Sequence, residues 1–127
     1  MDINKLHGSI YALPEAAGNF MENAQKKVVF APERFWPDYV MRCWILAPNA
    51  GDTKPHQHPW PHWMVVIKGT GHHSIDGKEF DSKPGDWIFV PSDVDHYFNN
   101  PSDTENLEIL CTVPPEGDIN VNSLKGC

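Results

Sequence analysis

Three histidines stand close together near the middle of the chain, and their spacing suits metal chemistry. His56, His58 and His62 fall within seven consecutive positions. Pro59 and Pro61 rule out a helix that would place His58 and His62 one turn apart. In an extended chain alternate side chains share a face, so all three imidazoles project together if the Pro-Trp-Pro segment adds no bulge. Because neutral imidazole is the commonest protein ligand for transition metals, this spacing predicts a metal site.

The composition argues against several classes of partner. The net charge is −7 and the pI is about 5.3, which disfavours binding to nucleic acid or to an anionic membrane. The longest apolar run, Trp63 to Ile67, is far shorter than a membrane span. No basic and apolar leader pattern opens the sequence, so we expect a cytoplasmic protein. Cys43, Cys111 and Cys127 form neither a disulfide framework nor a CxxC zinc motif, and we expect reduced thiols.

The elements that must position the histidines are short strands. Nine glycines and twelve prolines distribute turns along the chain, and no segment has the periodicity of a long helix. We predict about eight or nine strands that form an all-β sandwich or barrel. The strand candidates cover residues 28–30, 39–47, 63–68, 72–75, 79–80, 87–90, 96–99 and 107–113.

The length of the chain fits one domain. We expect residues 1–127 to form a single unit whose core covers about residues 28–114. No internal repeat or linker interrupts this range. Residues 115–127 have little periodicity, so this tail is expected to be loosely ordered.

A first motif, residues 51–69, resembles that of the cupin family. The family pattern is Gly, about five residues, His-x-His, three or four residues, Glu, six residues and Gly. Two departures occur here, because one residue is missing after the first glycine and a histidine stands where most cupins have glutamate. The residues that follow the pattern are Gly51, His56, His58, His62 and Gly69.

A second motif, residues 85–100, also resembles the cupins. Its pattern is Gly, five residues, Pro-x-Gly, two residues, His, three residues and Asn, and an aspartate replaces the middle glycine here. The matching residues are Gly85, Pro91, Asp93, His96 and Asn100. The two motifs together look most like the small four-histidine manganese cupins. This resemblance implies a single-domain cupin jelly-roll β-barrel that binds one divalent metal ion through His56, His58, His62 and His96.

The implied ligand set bears on which metal is bound. Four neutral imidazoles leave two open positions on an octahedral ion but saturate a tetrahedral zinc ion. One Mn or Fe ion per chain is therefore favoured, while Ni, Co and Zn stay open. His72 and His73 lie outside both motifs, and we interpret them as ordinary polar residues.

Five further residues are candidates for the wall of the metal pocket. Phe98 and Cys111 occupy positions that line the cavity in the resembling proteins, and Ile109 shares the strand parity of Cys111. Plain barrel core is an equally good interpretation of these three. Arg42 is either a solvated strand residue or a buried guanidinium that holds an anionic substrate or a peroxide. Trp60 lies beside the histidines, where packing is favoured over substrate stacking.

The resemblance implies an enzyme that acts on a small organic molecule. We favour an oxygenase that uses dioxygen or a peroxide, because no acid–base residue is apparent among the implied ligands. A metal-assisted lyase or isomerase and a non-catalytic protein that binds a small ligand are the alternatives, since cupins carry many unrelated reactions. We also expect a homodimer.

Overall fold

The computed structural model describes residues 1–16 and 21–118. Eight strands and three single-turn 3-10 helices account for the regular structure of these residues. Among them no helix has the length and apolar character needed to cross a lipid bilayer. The strands are β1 Ala24–Phe30, β2 Val40–Leu46, β3 His62–Lys68, β4 Gly71–Ile75, β5 Lys78–Ser82, β6 Trp87–Val90, β7 His96–Asn99 and β8 Leu107–Val113. The 3-10 turns are Ile3–Lys5, Ile10–Ala12 and Pro115–Gly117.

The strands form two antiparallel sheets of a jelly roll. One sheet has the order β1-β2-β8-β3-β6, and the other has the order β5-β4-β7. The predicted all-β class is therefore confirmed, and the predicted strands from β2 onward agree closely with those observed. The first strand begins earlier than expected, at Ala24 rather than Val28, because its polar residues pair with β2.

Alternation along β3 directs one set of side chains into the barrel. His62, Met64 and Val66 are buried, whereas Trp63 and Val65 between them are exposed. The predicted inward orientation of the even-numbered residues is therefore confirmed within β3, whereas residues 57–61 form a loop with a bend at Pro59 and Trp60 rather than a continuous extended strand. This parity places His62 in the interior next to the apolar core.

Backbone geometry explains several residues of the two motifs. Gly51 has a φ of +116°, and a Cβ on it would lie 2.5 Å from the Cα of Asn99, so only glycine allows this close approach to β7. Asp93, which replaces a family glycine, has a φ of 62°. Aspartate is among the few residues that tolerate this left-handed conformation. The Asn100 amide donates to three backbone carbonyls and thereby fixes the end of β7.

The beginning of the expected loose tail differs from the prediction. Residues 115–118 form a 3-10 turn and its cap, and the Asp118 carboxylate accepts hydrogen bonds from Lys26 and Arg42. Two buried cations require a carboxylate partner, which orders this short segment. The rest of the predicted tail, residues 119–127, lies outside the described residues.

Candidate metal centre

The four motif histidines converge inside one end of the barrel. His62 begins β3, His96 begins β7, and His58 lies in the loop that precedes β3. His56 is tied to His96 by two backbone hydrogen bonds of 3.1 and 3.0 Å. The ring centroids of His96 lie 4.6 Å from His56, 4.8 Å from His58 and 5.1 Å from His62. Residues far apart in the chain thus meet within the reach of a single ion.

Two of these rings are oriented by backbone carbonyls. The Nδ1 atoms of His58 and His96 donate to the carbonyl oxygens of Trp60 and Val94, each at 2.8 Å. Because a carbonyl can only accept, both rings carry their proton on Nδ1 and present the lone pair of Nε2. The Nε2 atom of His96 is buried and has no hydrogen-bond partner among the described residues. An unpartnered buried acceptor is costly, and a transition-metal ion fits this donor set.

The environment keeps these imidazoles neutral. Burial, followed by the neighbouring rings of His62 and His96, lowers the pKa of His58 to about 3. Burial is also the main cause that lowers the pKa of His96 to about 4. Since only neutral imidazole binds a metal, both side chains are in the ligand form near neutral pH.

His62 differs from the other three histidines. His56, His58 and His96 can each place one ligand atom within 4.8 Å of the others, and this group excludes His62. The Nε2 atom of His62 lies 2.6 Å from the Nε2 of His58, and its Nδ1 lies 3.3 Å from the Cys111 sulfur. His58 accepts in the first contact, so the proton of His62 lies on Nε2 when that hydrogen bond forms. Binding a metal through Nε2 would require the tautomer with the proton on Nδ1, facing Cys111.

Three of the candidate pocket residues contribute packing. Trp60 stacks on His58 with ring centroids 4.4 Å apart and planes 7° apart. A Cβ on Gly117 would lie 2.9 Å from this indole, so the turn after β8 packs closely against the ring. Phe98 and Ile109 are buried core residues. Trp60 thus agrees with the packing interpretation, and it holds one histidine in place.

Arg42 is a buried guanidinium, so the alternative of a solvated strand residue is wrong. Its side chain is 1% exposed because it points from β2 into the barrel. Its Nη1 donates to Asp118 at 2.5 Å, and its Nη2 donates to the Cys111 sulfur at 3.6 Å. The same Asp118 oxygen accepts from Lys26 at 2.8 Å. Contacts therefore run from the turn after β8 through Arg42 and Cys111 to His62.

Sequence reasoning missed Lys26 and Asp118. Lys26 stood in a stretch interpreted as polar, although it shares the parity of Val28, a signal for an inward position on β1. Asp118 followed two prolines in a segment without periodicity, and no local signal connected it with Arg42. Only the folded chain brings these charges together.

His73 also departs from the expectation of an ordinary polar residue. It is 2% exposed, its Nε2 lies 2.7 Å from the Ser82 hydroxyl, and its ring stacks on Phe80. Burial lowers its pKa to about 4. The neighbouring His72 lies at the surface, where Asp81 is the main cause of a raised pKa.

Comparison with known families gives one match. A family model described as Cupin domain matches residues 42–113, a range that contains the four clustered histidines. Among curated proteins, no sequence matches this chain.

Solved structures resemble this chain in fold at low sequence identity. A cupin-2 domain protein from Rhodospirillum rubrum is 22% identical, with a TM-score of 0.65 over 80% of this chain and 66% of its own. The polyketide cyclase RemF from Streptomyces resistomycificus is 17% identical, with a TM-score of 0.75 over 94% of this chain and 89% of its own. A predicted oxalate decarboxylase from Thermotoga maritima is 19% identical, with a TM-score of 0.71 over 84% of this chain and 96% of its own. At sequence identities this low, the similarity shows a common fold but does not indicate a common activity.

Proposed function

The chain belongs to the cupin domain family, and we propose that it is a metal-dependent oxygenase of the four-histidine type that acts on a small organic molecule. In this proposal His56, His58 and His96 hold one divalent ion, and His62 is the fourth ligand. The co-substrate is dioxygen or a peroxide.

The observation that carries the proposal is the orientation of the buried imidazoles. The Nδ1 atoms of His58 and His96 are committed to backbone carbonyls, and the Nε2 of His96 is buried without a described partner. A backbone carbonyl cannot take a proton from the ring, so these histidines are unsuited to acid–base catalysis and suited to metal binding. Because these histidines cannot pass a proton on, the site favours reactions in which the metal ion, rather than a side chain, activates the substrate.

The ion would supply redox chemistry or polarisation of bound oxygen atoms, according to its identity. Neutral imidazole ligands are compatible with Mn, Fe, Ni, Co and Zn, and the two open positions on an octahedral ion favour Mn or Fe. The residues of the chain orient the ligands and limit the entry of water. Trp60 packs flat on His58, and the buried side chains of Phe98 and Ile109 belong to the apolar core.

A metal-assisted lyase, isomerase or cyclase is the second candidate, and the polar groups inside the barrel favour it. Such reactions need a side chain that moves a proton or holds an anion, and the interior contains Arg42, Lys26, Asp118 and the Cys111 thiol. The names of two similar structures, a polyketide cyclase and a predicted oxalate decarboxylase, point to non-oxidative reactions of this kind.

Dependence on oxygen distinguishes these candidates. The protein, loaded separately with Mn, Fe and Zn, would be incubated with catechols, enolisable diketones and 2-oxo acids, in the presence of dioxygen, of hydrogen peroxide, and of neither oxidant. An oxygenase should consume dioxygen together with substrate and incorporate label from ¹⁸O₂ into the product, and the His96→Ala variant should not. Conversion of substrate in the absence of both oxidants would refute the oxygenase and support the second candidate. Binding without any conversion would indicate a non-catalytic ligand-binding protein.

A further inference from the structure

A cavity of about 430 Å³ lies at the β1 edge of the five-stranded sheet, where the N-terminal segment meets this strand. Its volume is within the range of about 300–1,000 Å³ that is usual for small-molecule sites. The described residues that line it include none of the four clustered histidines, so it is separate from the metal centre. Most of the wall is apolar and is formed by Leu6, Ile10, Leu13, Val29, Phe30 and Phe35.

A β-bulge in β1 shapes one wall of the cavity. Val28 pairs with Arg42 and Phe30 pairs with Met41, so Val29 is an extra residue in β1. In a regular strand adjacent side chains point to opposite faces, yet Val29 and Phe30 both line the cavity. The bulge thus turns Phe30, which is 39% exposed, toward the cavity rather than into the core.

The loop that follows β1 supplies an aromatic ring and a cation. Phe35 has a φ of 72°, a left-handed conformation that is rare for a bulky residue, and such outliers are concentrated at functional sites. The guanidinium carbon of Arg34 lies 5.5 Å from the centroid of this ring, and its Nε donates to the Val29 carbonyl at 2.8 Å. Because that hydrogen bond uses Nε, the two terminal nitrogens of Arg34 can bind a carboxylate through both of its oxygens.

Hydrogen bonds to β1 hold the N-terminal wall of the cavity in place. The Lys27 ammonium donates to the Leu13 carbonyl, and the Ala16 amide donates to the Lys26 carbonyl at 2.7 Å. Both walls are therefore fixed to the same strand before any ligand arrives. A pre-formed cavity lowers the cost of ordering the protein when a ligand binds.

The charges of the wall determine which ligand fits. Lys5 and Arg34 place two cations at the cavity, and the His7 imidazole adds a hydrogen-bonding group. None of the described lining residues is acidic, although the whole chain has a net charge of −7. Phe30 and Phe35 can pack against an aromatic ring, and the cations attract a negative charge attached to it.

We propose that this cavity binds an aromatic monocarboxylate, with the ring against Phe30 and Phe35 and the carboxylate on Arg34 and Lys5. If each non-hydrogen atom takes the volume of about 30 Å³ that a water molecule has in the liquid, the cavity holds about 14 such atoms. Naphthoate has about this size. The proposal does not depend on the metal or on the reaction, because the cavity shares no lining residue with the metal centre.

An NMR titration of the full-length protein with 2-naphthoate tests this proposal. The wild type should bind one molecule per chain with a Kd of about 1 mM or tighter, the affinity expected for about 13 non-hydrogen atoms at an ordinary ligand efficiency. The neutral alcohol 2-naphthalenemethanol has the same ring system and should bind at least about 10-fold more weakly, because it has no charge for the cations to bind.

Variants of the wall test the role of charge. Arg34→Met removes a charged hydrogen-bond donor and should weaken naphthoate binding at least about 10-fold. Leu6→Glu adds a negative charge at a 51% exposed side chain and should weaken it at least about 5-fold. Lys78→Met is the matched control, because it removes an exposed cation on β5, outside the cavity, and should leave the affinity unchanged.

Two further measurements locate the bound ligand. Metal-free and metal-loaded protein should bind naphthoate equally well, and nuclear Overhauser effects should connect the naphthalene protons with methyl groups of Leu6, Ile10 and Val29. Circular dichroism establishes that each variant is folded. A wild-type Kd weaker than about 1 mM overturns the proposal, as does equal binding of the alcohol or binding that requires the metal. Unchanged affinity in either folded wall variant also overturns it.

Discussion

Replacement of Asp118 by asparagine is the sharpest test of the charge arrangement inside the barrel. One carboxylate oxygen accepts from both Lys26 and Arg42, whose side chains are 2% and 1% exposed, while that of Asp118 is 9% exposed. Asp118→Asn keeps the shape and leaves two buried cations without a counter-charge. Removing one partner of a buried ion pair typically costs about 3–5 kcal/mol, because the remaining charge stays desolvated.

This loss should be measurable as a fall in the unfolding temperature. An unfolding entropy of about 2.1 cal/mol/K per residue gives about 0.27 kcal/mol/K for a chain of this length, so the midpoint should fall by about 10–20 °C. Differential scanning calorimetry of the metal-free proteins measures the shift. Glu116→Gln is the matched control, since it removes an exposed charge from the same turn and should change the midpoint by only a degree or two.

A third variant separates charge compensation from simple packing. Lys26→Met leaves Arg42 paired one-to-one with Asp118 and removes a neighbouring like charge. It should therefore destabilise the protein clearly less than Asp118→Asn does. The reasoning is refuted if Asp118→Asn changes stability by less than about 1 kcal/mol, or if Lys26→Met is the more destabilising of the two.

Three further predictions concern individual side chains. His73 is held neutral by burial, with its pKa lowered to about 4 from an unfolded value near 6.5. Because the unfolded chain binds this proton more readily than the folded chain does, the free energy of unfolding falls by about 2 kcal/mol between pH 7 and pH 5. A His73→Leu variant should show a correspondingly weaker pH dependence of urea unfolding. The His62→Glu variant should keep the metal, because carboxylate oxygen also binds Mn and Fe. The His62→Ala variant should remain folded but bind the metal at least about 10-fold more weakly, as measured by competition titration with a chelator. In the metal-loaded Cys127→Ser variant, peroxide should oxidise Cys111 before Cys43, which peptide mass mapping can measure. The reason is that Cys111 contacts His62, whereas burial raises the pKa of Cys43 to about 11 and so keeps that thiol protonated.

Each of these three has a result that contradicts it. An unchanged pH dependence in His73→Leu would show that this ring is not held neutral. An unchanged metal affinity in His62→Ala would mean that the site has only three histidine ligands. Equal oxidation of the two buried cysteines, or oxidation independent of metal, would separate Cys111 from the site.

The strands and the histidine cluster were predictable because their signals are local. The alternation of buried and exposed residues on β3 appears directly in the sequence, and the turn at Asp76-Gly77 that joins β4 and β5 follows from two residues that tolerate a positive φ. The spacing of His56 and His58 likewise required only the two-residue period of an extended chain. Features that depend only on residues close together in the sequence can therefore be predicted before the fold is known.

The charged interior was not predictable for the opposite reason. Arg42 and Asp118 are separated by 76 residues, and neither carries a local signal of the other. The position of Cys111 beside His62 depends on the pairing of β8 with both β2 and β3, which brings Cys111 between Arg42 and Met64. Long-range pairing of this kind is set by the complete fold, so the sequence left Arg42 between two interpretations.

The metal content of the purified protein tests the central claim most directly. Elemental analysis after reconstitution with Mn, Fe, Ni or Zn should find about one ion per chain, because His58 and His96 present oriented, neutral Nε2 atoms to a common point. The combined variant His56→Ala and His58→Ala should lose the ion and remain folded by circular dichroism. A wild-type protein that takes up none of the four metals would contradict the account, and so would a double variant that keeps its ion with unchanged affinity.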